Sequence, residues 1–295
     1  MEQKIFGVII VLVAAVMWAI EPVVAKLAFQ QQSSVLSVST IRAVGVCLVA
    51  ILYLFFRRPK TVRVKPAELQ VLVYIALVGT VFADGLYLYS LTLIPVVNAV
   101  VLAHMQPLFV LLFSVMLITK DQMTYSDYFG IILLMIAALF VTTRTFDNAY
   151  SLQFGSIGDL LVLCSTIAWA STAVIMRKYL TTLHTGLITL YRFGIAGIVF
   201  SMSMIVFRDS VFSVYALFIG FIVGIGTILY YEGLKRLKAA QVSGLELTAP
   251  FFAAVLGFLV LGEQTTLFQL IGMAMMVMGV YCIARHEPIR NTTKR

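Results

Sequence analysis

The sequence predicts an all-α membrane protein that crosses the bilayer ten times. The chain of 295 residues is 61% hydrophobic and only 12% charged, and its mean hydropathy is +1.02. Soluble domains contain about 25% charged residues, so this composition indicates a protein embedded in lipid. A helix that crosses the hydrocarbon core needs about 20 consecutive apolar residues, and runs of that length recur along the whole chain.

Ten apolar runs are long enough to be transmembrane helices. None of them alternates between polar and apolar residues, as the strands of a membrane β-barrel do. The predicted spans, numbered in chain order, are 5–29, 36–56, 68–91, 95–119, 124–143, 156–176, 186–207, 212–234, 239–261 and 266–284. The connections between them are short, so we expect one integrated transmembrane unit without a separate soluble domain.

Span 1 is unusual because Glu21 and Pro22 interrupt its apolar sequence. The span is too long for a signal peptide and no small-residue cleavage site follows it, so we expect it to be retained as a helix. Pro22 frees a backbone carbonyl about one turn earlier, near Trp18, and such a break is tolerated where a helix lines a watery cavity. Span 2 carries Arg42 near its start.

Spans 3 and 4 also carry polar residues within the membrane. Asp84 lies one turn before Tyr87 in span 3, and His104 lies one turn before Pro107 in span 4. His104 is either a hydrogen-bonded core residue or a proton carrier, since a neutral imidazole takes up a proton near physiological pH. Pro107 either kinks its helix or shapes a transport pathway, and the same two alternatives apply to Pro250 in span 9.

The second five spans repeat features of the first five at an offset of about 150 residues. The ordered matches are Trp18 with Trp169, Lys26 with Arg177, Arg42 with Arg192, Tyr87 with Tyr230, Leu91 with Leu234, and Pro107 with Pro250. Because each half has an odd number of spans, the second half must enter the membrane from the opposite side. The sequence therefore predicts two inverted five-helix repeats, 1–148 and 149–295, which suit alternating access.

The second half differs from the first in its charged residues. Thr172 and Thr227 stand where the first half has its two acids, so the fold needs the aromatic residues of the repeat but not the acids. Arg177 and Arg192 lie in the inner half of the membrane, where we expect them to form a charge network of their own. Glu246 in span 9 either faces a cavity or packs away from it.

The distribution of basic residues predicts that both termini are cytoplasmic. With the N-terminus inside, most of the 21 basic residues fall in inner connections, whereas the outer connections contain only Arg144 and Arg208. This asymmetry obeys the positive-inside rule. The net charge of +8 then reflects topology and contact with anionic lipid rather than nucleic-acid binding. We expect a multi-pass protein of the cell membrane.

Buried charges need an explanation, because a charged residue at the centre of a span costs about 2.5–3.5 kcal/mol. Lys26 and Arg42 lie on the same side of the membrane as Glu21 and Asp84, so these residues can form an ion-pair network that only fixes helix packing. Lys26 can extend to the lipid headgroups instead, which leaves Arg42 as the partner of one acid. We then expect the other acid to remain free.

These features together resemble the drug/metabolite transporter superfamily, and specifically its EamA-like branch. The resemblance covers nearly the whole chain and rests on Trp18 with Lys26, Trp169 with Arg177, Arg42, Arg192, Pro107, Pro250 and the "LGE" of Gly262 and Glu263. One departure is Lys120, which stands in the first half where a counterpart of Glu263 is expected and affects a helix-ending turn. The resemblance implies a multi-pass transporter of small metabolites with a central cavity and no ATP site.

We predict a substrate cavity lined by aromatic and ionisable side chains. Its expected members are Trp18, Tyr87, Trp169 and Tyr230 as aromatic walls, and Glu21, Asp84, His104 and Glu246 as ionisable groups. Aromatic faces beside carboxylates suit a cation. We therefore expect a cationic or zwitterionic metabolite, such as an amine, a quaternary ammonium compound or an amino acid. Protonation of Glu21, Asp84 or His104 would couple transport to the proton gradient.

Other functions remain open from the sequence alone. The main alternative is an exporter of drugs or hydrophobic cations with broad specificity. A lipid-modifying enzyme would need clustered catalytic groups or a metal site, yet the three histidines lie on different segments, and Cys47, Cys164 and Cys282 have no metal or disulfide spacing. A membrane scaffold would leave Glu21 unexplained, and no glycine-rich phosphate loop is present. We expect no cofactor or metal, and a monomer or a homodimer.

Overall fold

The computed structural model of the chain describes residues 2–59, 63–118, 123–207, 213–261 and 266–284. The side chains of Lys26 and of residues 256–261 lie outside this description. Every regular element within the described ranges is helical, which confirms the all-α class that the sequence predicts.

The described residues form thirteen helices. In chain order they are α1 (Glu2–Gln30), α2 (Val35–Arg57), α3 (Pro66–Leu93), α4 (Val96–Ala103), α5 (Gln106–Leu117), α6 (Tyr125–Thr143), α7 (Phe146–Tyr150), α8 (Ile157–Tyr179), α9 (Thr185–Phe207), α10 (Val214–Arg236), α11 (Ala239–Glu246), α12 (Ala249–Leu261) and α13 (Leu267–Ala284).

Nine helices within the described ranges are long and apolar enough to cross a membrane. Eight of them are single helices, and the ninth is the pair α4 and α5, which together cover Val96–Leu117. They correspond to predicted spans 1 to 8 and 10. The predicted span 239–261 forms α11 and α12 instead, and each of these is too short to cross the bilayer by itself.

Spans 4 and 9 are interrupted at mid-length, where the sequence predicts continuous helices. Residues 104–105 separate α4 from α5, and residues 247–248 separate α11 from α12. Pro107 and Pro250 are each the second residue of the helix that follows, a position where a proline removes no helical hydrogen bond. Pro22 has a different effect, since α1 continues through it. The two interruptions place irregular backbone in the middle of the bundle.

A π-helical stretch, Leu77–Asp84, lies within α3 and was not predicted from the sequence. Such wider turns are frequent at functional sites. The carbonyl oxygen of Gly79 in this stretch accepts hydrogen bonds from Arg192 Nη2 at 3.0 Å and from Trp169 Nε1 at 3.2 Å. The π-helical stretch therefore connects α3 to α8 and α9 through polar contacts inside the bundle.

The helices α1, α10, α2 and α9 pack side by side in that order. At the crossing of α2 and α10, a Cβ atom on Gly220 would lie 2.6 Å from the carbonyl oxygen of Arg42 and 2.8 Å from the Cα of Gly45. Small residues allow helix backbones to approach this closely in membranes. The crossing therefore fixes the part of α2 from which the Arg42 side chain projects.

The two ends of the bundle differ in their contacts. We call the end at which α1 stops and α2 begins the Gln30 side, and the end at which α10 stops and α11 begins the Lys238 side. On the Lys238 side, Asp127 Oδ2 at the start of α6 binds Lys238 Nζ at 2.7 Å, and Asp127 Oδ1 accepts a hydrogen bond from the Gln241 side chain. These contacts, here named the Asp127 latch, tie α6 to α11.

Candidate functional site

A cavity of about 490 Å³ occupies the middle of the bundle and extends toward the Gln30 side. Its lining includes Val96 at the start of α4 and Arg144 after the end of α6, both on the Gln30 side. Every one of the eight predicted substrate-binding residues lines it: Trp18, Glu21, Asp84, Tyr87, His104, Trp169, Tyr230 and Glu246. The structure thus brings together side chains that are distant in the sequence, and their role in binding remains a prediction.

The four aromatic residues form two pairs, each of which joins the two halves of the chain. Trp18 of α1 packs on Tyr230 of α10 with 5.2 Å between ring centroids, and Tyr87 of α3 packs on Trp169 of α8 with 5.1 Å. A Cβ atom on Gly226 would lie 2.9 Å from the indole nitrogen of Trp18, so this glycine makes room for the ring. The cavity is therefore bounded by two tilted tryptophan–tyrosine pairs.

Arg42 binds both acids that the first half contributes to the cavity. Its guanidinium lies 3.0 Å from Glu21 Oε1 and 2.9 Å from Asp84 Oδ2. The three side chains are 6%, 13% and 5% exposed, respectively, so the pairs are buried. The expectation that one of the two acids remains free is therefore wrong. A planar guanidinium presents several donors, which allows it to serve two carboxylates at once.

Asp84 has two further partners from the second half of the chain. Trp169 Nε1 donates a hydrogen bond to Asp84 Oδ1 at 2.6 Å, and Arg192 Nη2 lies 3.6 Å from the same oxygen. Arg192 also donates to the Thr80 hydroxyl at 2.7 Å and to the Tyr231 hydroxyl at 2.9 Å. We call Glu21, Arg42, Asp84 and Arg192 the buried charge cluster.

The structure corrects the predicted charge network of the inner half. Arg192 belongs to the buried charge cluster and not to a separate network with Arg177. The Arg177 guanidinium donates instead to the carbonyl oxygens of Leu234 and Lys235, at 2.8 Å and 3.2 Å, near the end of α10. Sequence position alone gave the depth of the two arginines but not the direction in which their long side chains extend.

Glu246 and His104 differ from the other ionisable residues of the cavity. Each lies where a helix is interrupted, Glu246 as the last residue of α11 and His104 directly after α4. Glu246 Oε1 and His104 Nδ1 are buried, and no described residue forms a hydrogen bond with either atom. Both residues belong to the cavity lining, so these two atoms are buried polar atoms of the cavity without a hydrogen-bond partner in the described part of the chain.

Sequence reasoning missed several polar residues of the cavity. Gln106, Thr142, Ser243 and Gln269 all line it, as does Tyr231, whose hydroxyl accepts from Arg192. Gln106 and Ser243 lie close to the interruptions, so their proximity to Pro107 and Pro250 was a usable signal. Nothing in the sequence indicates that the ends of α6 and α13 reach the cavity.

The remaining sequence predictions fall outside the cavity. Glu232 forms ion pairs with Lys235, at 3.9 Å, and with Arg236. Among the described residues, no group of three or more histidine, cysteine, aspartate or glutamate side chains could hold a metal ion. The residues of the "LGE" comparison, Lys120, Gly262 and Glu263, lie outside the described ranges.

His184 lies in the connection between α8 and α9, outside the membrane-spanning helices and away from the cavity lining. Its Nδ1 accepts a hydrogen bond from the Gly186 backbone at 3.2 Å, and its ring lies 5.4 Å from that of Tyr53. Partial burial, followed by the positive charge of Lys235, lowers the pKa of the His184 imidazole below its ordinary value of 6.5. These contacts give His184 a structural role at the Lys238 side.

The sequence profile of the EamA-like transporter family matches residues 5–143 and residues 156–285. The chain belongs to the EamA-like transporter family. The family consists of membrane transporters and not enzymes, which agrees with the cavity and with the apolar helices. The family also confirms the resemblance that the sequence indicates.

Several curated relatives of this EamA-like chain carry the description of a transporter. An uncharacterized transporter of Methanothermobacter thermautotrophicus is 24% identical over 227 residues, which cover 75% of this chain and 66% of that protein. The transporter YyaM of Bacillus subtilis is 24% identical over 217 residues, with 70% of each chain covered. The pseudopaline exporter CntI of Pseudomonas aeruginosa is 28% identical over 113 residues, or 38% of each chain.

A solved crystal structure shares the fold of the EamA-like chain. It superposes with a TM-score of 0.76, covers 94% of this chain and 97% of its own, and has 18% sequence identity. The matched region covers 66% of the Methanothermobacter protein and 62% of an uncharacterized transporter of Synechocystis, so the chain spans somewhat less than two thirds of the length of those proteins.

Proposed function

We propose that this protein is a secondary active transporter that moves a small cationic or zwitterionic metabolite by alternating access. The observation that carries this proposal is the central cavity, which combines two aromatic pairs with carboxylates and guanidiniums at mid-depth. Its volume of about 490 Å³ is in the range of small-molecule sites. Amines, quaternary ammonium compounds and amino acids are the substrate classes that fit.

The lining supports this substrate class through two kinds of contact. The faces of Trp18 and Tyr230 attract a cation through the ring quadrupole. The buried charge cluster presents both acids and guanidiniums, so an ammonium group and a carboxylate of one zwitterion can each find a group of opposite charge. The sequence predicts that Glu21, Asp84 or His104 takes up a proton and so couples transport to the proton gradient.

Two correspondences support an inverted repeat with ten spans. The helices α4 and α11 both have eight residues, and each is followed by a two-residue interruption and a helix with proline in second position. The pair of Trp18 with Tyr230 is repeated by Trp169 with Tyr87, with the order of the halves exchanged. We infer that α11 and α12 together form the tenth span, equivalent to α4 and α5, and that the halves are 1–148 and 149–295.

The basic residues support an orientation with both termini in the cytoplasm of a cell membrane. The Lys238 side is then the cytoplasmic side, and the cavity extends toward the outside. In this orientation the Asp127 latch closes the cytoplasmic end of the pathway. A transporter in this state accepts or releases its substrate on the outer side.

The substrate class is tested by ligand-induced stabilisation. The purified full-length protein is heated with amines, quaternary ammonium compounds, amino acids, nucleosides and organic anions at two pH values. A ligand that binds only the folded protein raises Tm. Stabilisation by cations or zwitterions supports the proposal, whereas stabilisation by organic anions alone would overturn it and move attention to Arg42 and Arg192.

The role of the two acids is tested by isosteric neutral variants. Glu21→Gln and Asp84→Asn each remove a negative charge from the cavity, and we expect each to reduce the transport rate at least about tenfold, the effect of losing about 1.4 kcal/mol. Transport of the stabilising ligand is measured in proteoliposomes. Glu68→Gln and Asp147→Asn, outside the cavity, are the matched controls and should transport normally.

The expected loss applies to protein that remains folded and inserted. Size-exclusion profiles and Tm of the variants establish this independently of transport. If Glu21→Gln and Asp84→Asn are folded and transport at the wild-type rate, the two acids serve packing alone and have no part in substrate recognition.

An exporter of hydrophobic cations with broad specificity is the second candidate. It is favoured by the largely apolar lining, which includes Val97, Val100 and Val223, and by the exporter among the relatives. In the same stabilisation assay a broad exporter binds many chemically unrelated cations, whereas a dedicated permease binds one narrow group of compounds.

A further inference from the structure

Some of the ionisable groups of the cavity form ion pairs, whereas Glu246 forms none with a described residue. In the buried charge cluster, two carboxylates face two guanidiniums, so their formal charges cancel. Glu246 lines the same cavity, but no ion pair or hydrogen bond joins it to a described residue, and its Oε1 is buried. A carboxylate in this position is costly unless it holds a proton or meets a cation.

The helix that carries Glu246 adds to this cost. Glu246 is the last residue of α11, and the C-terminal end of a helix carries partial negative charge that disfavours an anion. Pro250 lies four residues later and has no N–H to donate to the Glu246 carbonyl. The relation is repeated at α4, where Pro107 cannot donate to the carbonyl of Ala103. Both Ala103 and Glu246 line the cavity.

The interruptions therefore make this part of the cavity attractive to a cation. Two helix C-termini end there, two backbone carbonyls lack their usual amide donors, and the buried His104 Nδ1 has no described partner. In membrane transporters, helices interrupted at mid-depth direct their C-terminal ends at bound cations. The aromatic pair of Trp18 and Tyr230 belongs to the same lining and suits an organic cation.

We propose that Glu246 is the exchange site of the transporter, where a proton in the empty cavity is replaced by the ammonium group of the substrate. This inference rests on the proposed transport of a cationic solute. The O–H bond of the Glu246 carboxylic acid breaks, the proton leaves to water in the cavity, and the carboxylate forms an ion pair with the ammonium group. The net charge of the site is the same before and after exchange, so the cost of a bare buried carboxylate is avoided.

Among the ionisable groups near α11, Glu246 is the one best placed to exchange a proton for an ammonium group. Glu21 and Asp84 already form ion pairs with Arg42, so neither offers an unpaired carboxylate to the ammonium group of a substrate. The groups that face the cavity from elements around α11 are Glu21 of α1, His104 after α4, Arg144 after α6, and Tyr230 and Tyr231 of α10. Asp127 of α6 is engaged in the latch at the far end of α11.

Proton release on amine binding tests the exchange directly. Purified full-length protein in weakly buffered detergent solution is mixed with phenethylammonium chloride, and the released protons are measured with a pH indicator. Binding is followed by the fluorescence of Trp18 and Trp169, the two tryptophans of the chain, both of which line the cavity. We expect about one proton per bound amine for the wild type, since one carboxyl group exchanges.

The variant Glu246→Gln mimics the protonated acid in shape and should fold. We expect it to release no protons. The wild-type affinity for phenethylammonium should rise about tenfold per pH unit over the range in which Glu246 is protonated, whereas the affinity of Glu246→Gln should be weak and independent of pH. Glu68→Gln, a matched change outside the cavity, should behave as the wild type. Glu246→Asp should retain proton release with a shifted pH range.

Three outcomes would overturn the inference. Proton release by Glu246→Gln at the wild-type level would assign the exchange to another group, and amine binding by the wild type without proton release would leave the proposed function intact but remove the exchange. Proton release by sodium chloride at the same concentrations would assign the site to a metal cation instead of an ammonium group.

A measurement without ligand separates this inference from the proposed function. If no cation binds the wild type, the proposed substrate class fails, but infrared spectra of the empty protein still report the C=O stretch of a protonated carboxylic acid. That band should be present in the wild type at neutral pH and absent from Glu246→Gln. Its absence from the wild type would end the proposal for Glu246.

Discussion

At the scale of single residues, Arg42 compensates the negative charges of two acids that are buried inside this membrane protein. Its guanidinium binds Glu21 and Asp84 at 3.0 and 2.9 Å, and all three side chains are buried. The attraction within such a cluster roughly offsets the cost of desolvating its members, so the cluster adds little net stability. Loss of one member is different, because the remaining charges are then buried without compensation.

We predict that Arg42→Gln is strongly destabilising. Among the described side chains, only Arg192 then remains as an ion-pair partner of the two buried carboxylates. Breaking a buried pair in this way costs about 3–5 kcal/mol. Thermal unfolding of the purified protein measures the effect as a lower Tm. Arg57→Gln, at the end of α2 on the Lys238 side, is the control and should leave Tm nearly unchanged.

The double variant Arg42→Gln/Asp84→Asn removes one charge of each sign and should recover part of the lost stability. An Arg42→Gln protein as stable as the wild type would show that the two acids are protonated in the membrane. In that case they would need no basic partner.

The sequence predicts the identities of these residues and the pairing of Arg42 with one acid, but not its pairing with both acids or the contact between Asp84 and Trp169. Trp18, Glu21, Asp84 and Trp169 stand out because polar or aromatic groups within apolar spans are unusual, and a span gives the depth of each residue directly. Which partner a side chain contacts depends on how helices pack, and Asp84 meets Trp169 across 85 positions of sequence. The sequence leaves open whether Glu246 faces the cavity, and the structure places it in the cavity lining directly before the interruption at 247–248.

At the scale of elements, the lengths of the apolar stretches predict most of the helical spans but not the places where helices are interrupted. The length of each apolar run predicts the nine helices that can cross the membrane, because the thickness of the hydrocarbon core sets the length that a spanning helix needs. It does not predict the interruptions at 104–105 and 247–248 or the π-helical stretch in α3. In that stretch the Gly79 carbonyl accepts hydrogen bonds from side chains of two neighbouring helices, which apolar length does not reveal. Proline marks both interruptions, but Pro22 lies in an uninterrupted helix, so proline alone is an ambiguous signal.

We predict that Gly220→Ala disturbs the crossing of α2 and α10. The new methyl group would lie 2.6 Å from the Arg42 carbonyl oxygen, and the neighbour is backbone that cannot rotate away. Overpacking of this kind costs about 1–3 kcal/mol and displaces the part of α2 that carries Arg42. Both a lower Tm and weaker ligand binding are expected.

Gly194→Ala is the matched control, because a Cβ atom at Gly194 in α9 meets no atom within 4 Å. It should retain the wild-type Tm. If Gly220→Ala and Gly194→Ala are equally stable, the close approach of α2 and α10 is not needed for the fold.

At the scale of the whole molecule, access to the cavity differs between the two sides. The cavity extends to the Gln30 side, where Val96 and Arg144 belong to its lining, and the Asp127 latch joins α6 to α11 on the Lys238 side. Alternating access requires the second side to open when the first closes. Under the alternating access that we propose, the contacts between Asp127, Lys238 and Gln241 break once in each transport cycle.

We predict that a covalent link across the Asp127 latch stops transport reversibly. Asp127→Cys and Gln241→Cys are combined in a protein whose three natural cysteines, Cys47, Cys164 and Cys282, are replaced by serine. A short bis-methanethiosulfonate reagent joins the two new cysteines, whose native side chains are in hydrogen-bond contact. Transport in proteoliposomes should fall to background after the reaction and recover when a thiol reductant cleaves the link.

The single variants Asp127→Cys and Gln241→Cys, treated with the same reagent, separate the effect of the link from that of modification. They should keep their untreated transport rates, because a reagent attached to one helix does not hold α6 to α11. Ligand binding from the Gln30 side should survive in the linked protein, since the cavity remains accessible there. If the linked protein transports at the unlinked rate, the Lys238 side does not open between α6 and α11, and the transport pathway must leave the cavity between other helices.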